Sequence, residues 1–168
     1  MTVAARRPSP LLNTLVGLRA VPVIGVVTRN LVRLFNLMHV PAPVTMAEGS
    51  AFVHGTGTTV WATTEIGRYA TIAHEVTIGT QDAYMDSTVP FGPIVIGDHA
   101  VLSPGARILA PTAGMTIGRG TLVAPNAVLL ESTGEWEIWD GIPARKVADR
   151  EPPPGFEERF PGEGPTGR

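Results

Sequence analysis

Aliphatic residues recur at every sixth position through the middle of the chain: Val60, Ile66, Ile72 and Ile78, then Ile96, Leu102 and Ile108, then Ile117, Val123 and Leu129. Four places after these stand small or β-branched residues (Thr64, Ala70, Val76, Ala100, Ala106, Thr112, Thr121, Ala127, Thr133), with Asp82 the exception. A helix face needs apolar steps of three and four, and a half-buried sandwich strand needs a step of two. A step of six fits neither. It fits short parallel strands wound into triangular coils, three hexads to a coil, with the aliphatics stacked inward and the small residues at tight corners. Gly67, Gly79, Gly97 and Gly118 each follow an inward aliphatic, where a turn would use the freedom of glycine in φ.

The breaks in this pattern divide the chain. Residues 1–43 precede the sixes, residues 44–147 carry them to their close, and 148–168 form a Pro-, Gly- and acid-rich tail. Two short helices are expected before the coils, at Pro10 to Arg19 and Thr28 to His39, the second with Leu31, Leu34, Phe35 and Met38 at helical spacing. The segment Val40-Pro41-Ala42-Pro43-Val44 reads as an extended entry into the first coil. Thr80 to Pro93 cannot hold the register and should protrude as a loop, a usual place for binding residues. Gly114-Met115-Thr116 reads as a bulge between coils, and Glu135 to Val147 as the closure of the last one. Pro152, Pro153, Pro154, Pro161 and Pro165 mark the tail as disordered.

Composition narrows the chemistry. The chain has 168 residues, 43% of them hydrophobic, which suits one globular domain with extensions. Without cysteine it has no disulfide, thiol nucleophile or thiolate metal site. A net charge of −2 gives no overall attraction for nucleic acid, although residues 1–47 hold five arginines and no acid. That basic, apolar segment is short for a membrane span and is interrupted by Asn13, Arg19 and Pro22. Its face (residues 10–39) fits packing on its own domain or a neighbouring subunit, or a peripheral membrane contact. No signal-peptide cleavage site ends the apolar run, so a cytoplasmic protein is expected.

The run Val53-His54-Gly55-Thr56-Gly57, followed by Ile66 to Gly79, resembles serine O-acetyltransferases, as does the closing Gly141-Ile142-Pro143-Ala144-Arg145. The resemblance runs from about Val40 to Val147. It implies a mainly β fold, the left-handed parallel β-helix of the hexapeptide-repeat acyltransferases, preceded by short α-helices. It also implies an acetyl-CoA-dependent O-acetyltransferase working as a homotrimer, with cofactor clefts between subunits and no metal. By the resemblance His54 falls on the catalytic histidine, the general base for the acceptor hydroxyl. An imidazole titrating near neutrality suits that task. Cofactor contacts would come from Gly79, Thr80, Ser103, Pro104, Gly105, Ala124 and Pro125, with Arg145 and Lys146 basic enough for CoA phosphates. His74, Asp82 and Asp86 are candidate substrate-binding residues.

This sequence also departs from the family pattern. Val53 stands where the family has the aspartate that meets the amino acid substrate, and no acid lies near His39, where the aspartate orienting the histidine belongs. A second active-site histidine is missing at about Gly92-Pro93. An acceptor other than free L-serine is therefore expected, with Glu48, Glu75, Asp82 and Asp86 as possible partners for His54. His99 falls at an outward turn and reads as solvated. Trp61, Trp136 and Trp139 read as surface aromatics marking subunit contacts or the adenine end of a cofactor groove. Two further readings stay open: a non-catalytic scaffold or regulatory protein of the same fold, and a γ-type carbonic anhydrase holding zinc through His54, His74 and His99.

Overall fold

Each hexad forms a strand of two to four residues and then a turn, and the chain carries successive strands around three faces of a triangular coil. The computed structural model describes Val27, Leu31 and residues 38–41, 43–61, 63–81 and 91–165. The first face holds β1 (Thr45–Met46), β4 (Thr64–Ile66), β7 (Ile94–Ile96) and β10 (Met115–Ile117). The second holds β2 (Ala51–Phe52), β5 (Thr71–Ile72), β8 (Val101–Leu102), β11 (Leu122–Val123), β13 (Glu137–Gly141) and β14 (Ala144–Asp149). The third holds β3 (Thr59–Val60), β6 (Thr77–Thr80), β9 (Arg107–Ala110) and β12 (Val128–Leu129). Coil stacks on coil in parallel register, as in Ile72↔Leu102 and Ile78↔Ile108; the closing hairpin β13–β14 is antiparallel. The expected helix over Pro10 to Arg19, most of that over Thr28 to His39, and loop residues 82–90 lie outside the described residues.

The sixfold aliphatics form the core, and all ten are at most 2% exposed. Phe52 and Trp139 extend the second-face stack at its two ends, with Met38 and Val40 buried above the first coil. The small residues at the following positions are buried as expected, except at Thr112 and Thr133. Buried hydroxyls are satisfied locally, Thr64 Oγ1 donating to Trp61 O at 2.8 Å and Thr121 Oγ1 to Gly134 O at 2.7 Å. The expected bulge at Gly114-Met115-Thr116 is displaced. Met115 is buried in β10, and the extra residues turn at Pro111–Gly114, where Gly114 N–H donates to Pro111 O at 2.9 Å. That turn throws Thr112 outward.

Glycine serves two different needs, and the glycines after the inward aliphatics are not the turning ones. Gly67, Gly97 and Gly118 do not have positive φ. They are small because coils touch there: a Cβ on Gly118 would stand 2.0 Å from Gly134 O, and one on Gly97 would stand 2.7 Å from Arg119 N. Gly79 has open space instead. The left-handed turn residues come two places later: Tyr69, Glu75, His99, Gly105, Gly120 and Asn126.

The tail departs from its compositional reading. Strand β14 runs to Asp149, past the expected boundary at 147, and residues 150–165 fold back on the corner between the first and second faces. A single helical turn, Phe156–Arg159, buries Phe156, whose ring meets Trp136 and His99 edge-on at 5.1 and 4.8 Å. Few in number, these aromatics bury enough surface to order a segment whose prolines and acids otherwise favour disorder.

Candidate active site

The corner between the second and third faces is built from the turns that follow β2, β5, β8 and β11. In the first coil the turn is Val53-His54-Gly55-Thr56-Gly57, and His54 sits in a left-handed backbone conformation at φ 56°. Such a φ is uncommon outside glycine, and here it turns the chain at the corner. The His54 side chain is exposed and has no hydrogen-bond or ion-pair partner among the described residues.

The next coil places His74 and Glu75 on the same corner. Glu75 N–H donates to Thr56 O at 2.8 Å, and Thr58 Oγ1 donates to Ala73 O at 3.1 Å. Pro104 and Gly105 follow, Gly105 N–H donating to His74 O at 3.1 Å. Pro125 and Asn126 come last, Asn126 N–H donating to Pro104 O at 3.0 Å. His54, His74, Ser103, Pro104, Gly105, Ala124 and Pro125 thus share one ladder, with Ser103 and Ala124 nearly buried. Gly79 and Thr80 stand at the end of β6 on the adjoining third face.

Other expected site residues lie elsewhere. Asp82 and Asp86 fall outside the described residues. Arg145 and Lys146 lie on β14, where carboxylates engage both: Glu131 is 3.0 Å from Arg145, and Glu137 and Asp149 are 3.0 and 2.8 Å from Lys146. Burial pushes the Glu137 carboxyl upward, but Trp139 Nε1–H, Lys146 and Gly134 N–H outweigh it and hold the group below its ordinary value. Glu48 is exposed on the opposite corner.

His99 is not solvated. It lies on the corner between the first and second faces, where the turns stack as Gly49, Tyr69, His99, Gly120 and Trp136. His99 is 7% exposed, its Nε2 lies 2.6 Å from Glu163 Oε2, and its ring stacks on Tyr69 at 5.3 Å. Phe156 and Phe160 close over it. His54, His74 and His99 therefore do not converge within the chain, and His99 is already engaged. No group of three or more metal-ligating side chains occurs among the described residues.

Two of the three tryptophans are not surface aromatics. Trp136 and Trp139 are buried at 3% and 8% exposure, and Trp61 is half-buried beside Phe91. The tail turns the aromatic corner into a groove of about 420 Å³ over the second face, with Val53 in its lining. Tyr69, Arg150, Phe156 and Phe160 in its walls were not singled out as site residues from the sequence, and Trp136 was expected only as a surface aromatic. One signal was available: Tyr69 and His99 both fall three places after an inward aliphatic, and that spacing stacks them on one corner.

No family model matches the chain. A serine acetyltransferase of Mycobacterium tuberculosis is 29% identical over 110 residues, which make up 64% of this chain and 45% of that protein. Among solved structures, a hexapeptide-repeat serine O-acetyltransferase of Brucella melitensis superimposes with a TM-score of 0.69 at 18% identity, covering 83% of this chain and 55% of that one. A serine acetyltransferase in complex with CoA gives a TM-score of 0.62 at 19% identity, covering 81% and 53%. The chain spans about half the length of the curated relatives it matches. In sequence and in fold, a left-handed parallel β-helix of hexapeptide repeats, the chain is similar to serine acetyltransferases.

Proposed function

We propose that the chain is a CoA-dependent O-acyltransferase, that His54 is its general base, and that its acceptor is a hydroxyl-bearing small molecule other than free L-serine. One observation carries this reading. The exposed, unpartnered imidazole of His54 stands at the head of the corner ladder of His74, Pro104-Gly105 and Pro125. The serine acetyltransferase whose structure holds CoA has the same fold.

In the proposed step the acceptor oxygen attacks the thioester carbonyl as His54 takes its proton. The tetrahedral intermediate collapses with loss of the CoA thiolate, giving the ester, and the proton returns to the leaving sulfur. No covalent enzyme intermediate is needed, because the thioester is already activated. Backbone N–H groups along the coil edge are suited to stabilise the oxyanion. Glu75, on the same corner one coil further, is the described carboxylate best placed to support the imidazolium that forms. Asp82 and Asp86 remain proposed acceptor contacts, and Gly79, Thr80, Ser103 to Gly105, Ala124 and Pro125 proposed cofactor contacts. Arg145 and Lys146 would have to exchange their carboxylate partners for CoA phosphates.

We further propose a homotrimer. Ile142 and Val147 on the closing hairpin are 76% and 61% exposed, apolar surface that association would cover. Among the described residues no helix is long and apolar enough to cross a membrane.

The test is thiol release from acetyl-CoA by the purified protein with L-serine, sugars and phenolic alcohols as acceptors. Release with a non-serine alcohol supports the reading. Release with L-serine alone would sink the acceptor assignment, and none with any acceptor would favour the scaffold. Light scattering checks the assembly, and a stable 17.7 kDa monomer would contradict it.

A further inference from the structure

We propose that the groove between the tail and the second face is the acceptor-recognition subsite, and that it takes the body of a hydroxylated aromatic carboxylic acid. This rests on the acyl-transfer reading given above. The floor is the outward column Ala51, Thr71 and Val101, flat and largely apolar, and the walls bring Tyr69, Phe156 and Phe160. A planar apolar body is the chemistry that such a floor and such walls bury well.

The two ends of the groove differ. At one end is Val53, the residue before His54. Where the resembled family has an aspartate for its amino acid substrate, this chain supplies an apolar side chain that continues the floor. At the other end are polar donors without their complements. Trp136 is 3% exposed, and its indole Nε1–H is buried with no partner among the described residues. Arg150 lies over the Trp136 ring at 5.9 Å, and its Nη1 donates to Gly120 O at 2.6 Å and His99 O at 3.3 Å. No carboxylate pairs with it among the described residues. Among the described residues the Arg159 guanidinium, also in the lining, meets only the Phe160 ring, at 5.3 Å. The exposed Arg68, by contrast, is paired with Asp98 at 2.7 Å.

A partly buried guanidinium with no counter-ion among the described residues is costly unless a ligand supplies one. A carboxylate does so. Arg150 reaches the His99 carbonyl, and from that coil to the coil bearing Val53 is two strand spacings along the column β8–β5–β2, about 10 Å. That span matches an acid whose hydroxyl lies across a bicyclic ring system from its carboxylate.

The experiment is equilibrium binding of 6-hydroxy-2-naphthoic acid, followed by its own fluorescence, to the full chain and to three variants, each checked by circular dichroism. Thr71→Trp fills the floor without touching the tail and should abolish saturable binding. Arg150→Met should weaken binding about tenfold or more, the loss of a hydrogen bond to a charged group. Arg107→Met, exposed on the third face away from the groove, should leave binding unchanged. Thiol release from acetyl-CoA with the same acid is measured separately. Binding lost in Thr71→Trp but unaccompanied by thiol release upholds the groove and counts against acyl transfer to this acid. No saturable binding to the wild type, or equal binding to Thr71→Trp, overturns the groove whatever the turnover. So does a change of oligomeric state in Thr71→Trp that the acid does not affect, which would make this face a subunit contact.

Discussion

Two histidines of this chain hold nearly the same backbone conformation, at φ 56° for His54 and 57° for His99, and have opposite fates. His54 heads a corner whose other left-handed residues are Gly57, Glu75, Gly105 and Asn126, with no aromatic among them. Its side chain stays exposed and unengaged. His99 sits in a corner of rings, and the tail closes over it. The coil thus makes two equivalent corners, and what packs outside each decides whether its imidazole is available or spent. Position in the repeat is a statement about backbone; reactivity is a statement about what covers it.

The largest effect should come from adding one methyl group to each corner. Gly105 and Gly120 both have positive φ, so alanine at either carries a left-handed strain of about 1–2 kcal/mol. At Gly105 the new Cβ meets Asn126 Oδ1, the end of a side chain that can swing away. At Gly120 it meets the Trp136 indole at 2.3 Å, inside the packed aromatic corner. Gly120→Ala should therefore cost about 1–3 kcal/mol more than Gly105→Ala in urea unfolding. Equal losses would mean that the aromatic corner is not rigidly packed.

Next comes the tail contact. Glu163→Ala leaves the His99 ring nitrogen without its partner and should cost about 1–3 kcal/mol of tail docking. The readout is faster proteolysis after Arg159, with the coils unfolding as before. Unchanged proteolysis would show that the tail docks without this bond.

A pH-dependent effect follows from Glu137. Its carboxyl is held below its ordinary value of 4.5, so the folded state gains stability above that value and loses it as pH falls through the lower folded one. Glu137→Gln should flatten the stability loss on acidification below about pH 4.5. An unchanged slope would assign acid sensitivity to other carboxylates. The smallest effect should be Gly79→Ala, within about 0.5 kcal/mol of wild type, because nothing lies within 4 Å of the new Cβ.

The coil was legible because stacking repeats one constraint at fixed spacing, so each inward aliphatic from Val60 to Leu129 announces the next. The corner bearing His54, His74, Pro104 and Pro125 was legible for the same reason. What periodicity does not carry was misread. Glycine at 67, 97 and 118 is explained by contact between neighbouring coils, and the residues turning in left-handed φ include Tyr69, Glu75 and His99, whose types do not advertise it. The tail was misread because composition averages over residues, whereas Phe156 and Phe160 act individually on rings far away in sequence.

The central claim is that the open corner is the reactive one, and His54→Ala tests it most directly. Turnover of acetyl-CoA with an active alcohol should fall by about 10²–10⁴-fold, the range for losing a positioned general base. Acetyl-CoA binding and urea unfolding should stay close to wild type, since the side chain is exposed and has no hydrogen-bond or ion-pair partner among the described residues. If His54→Ala keeps near wild-type turnover, the site is elsewhere and the account of this corner is wrong.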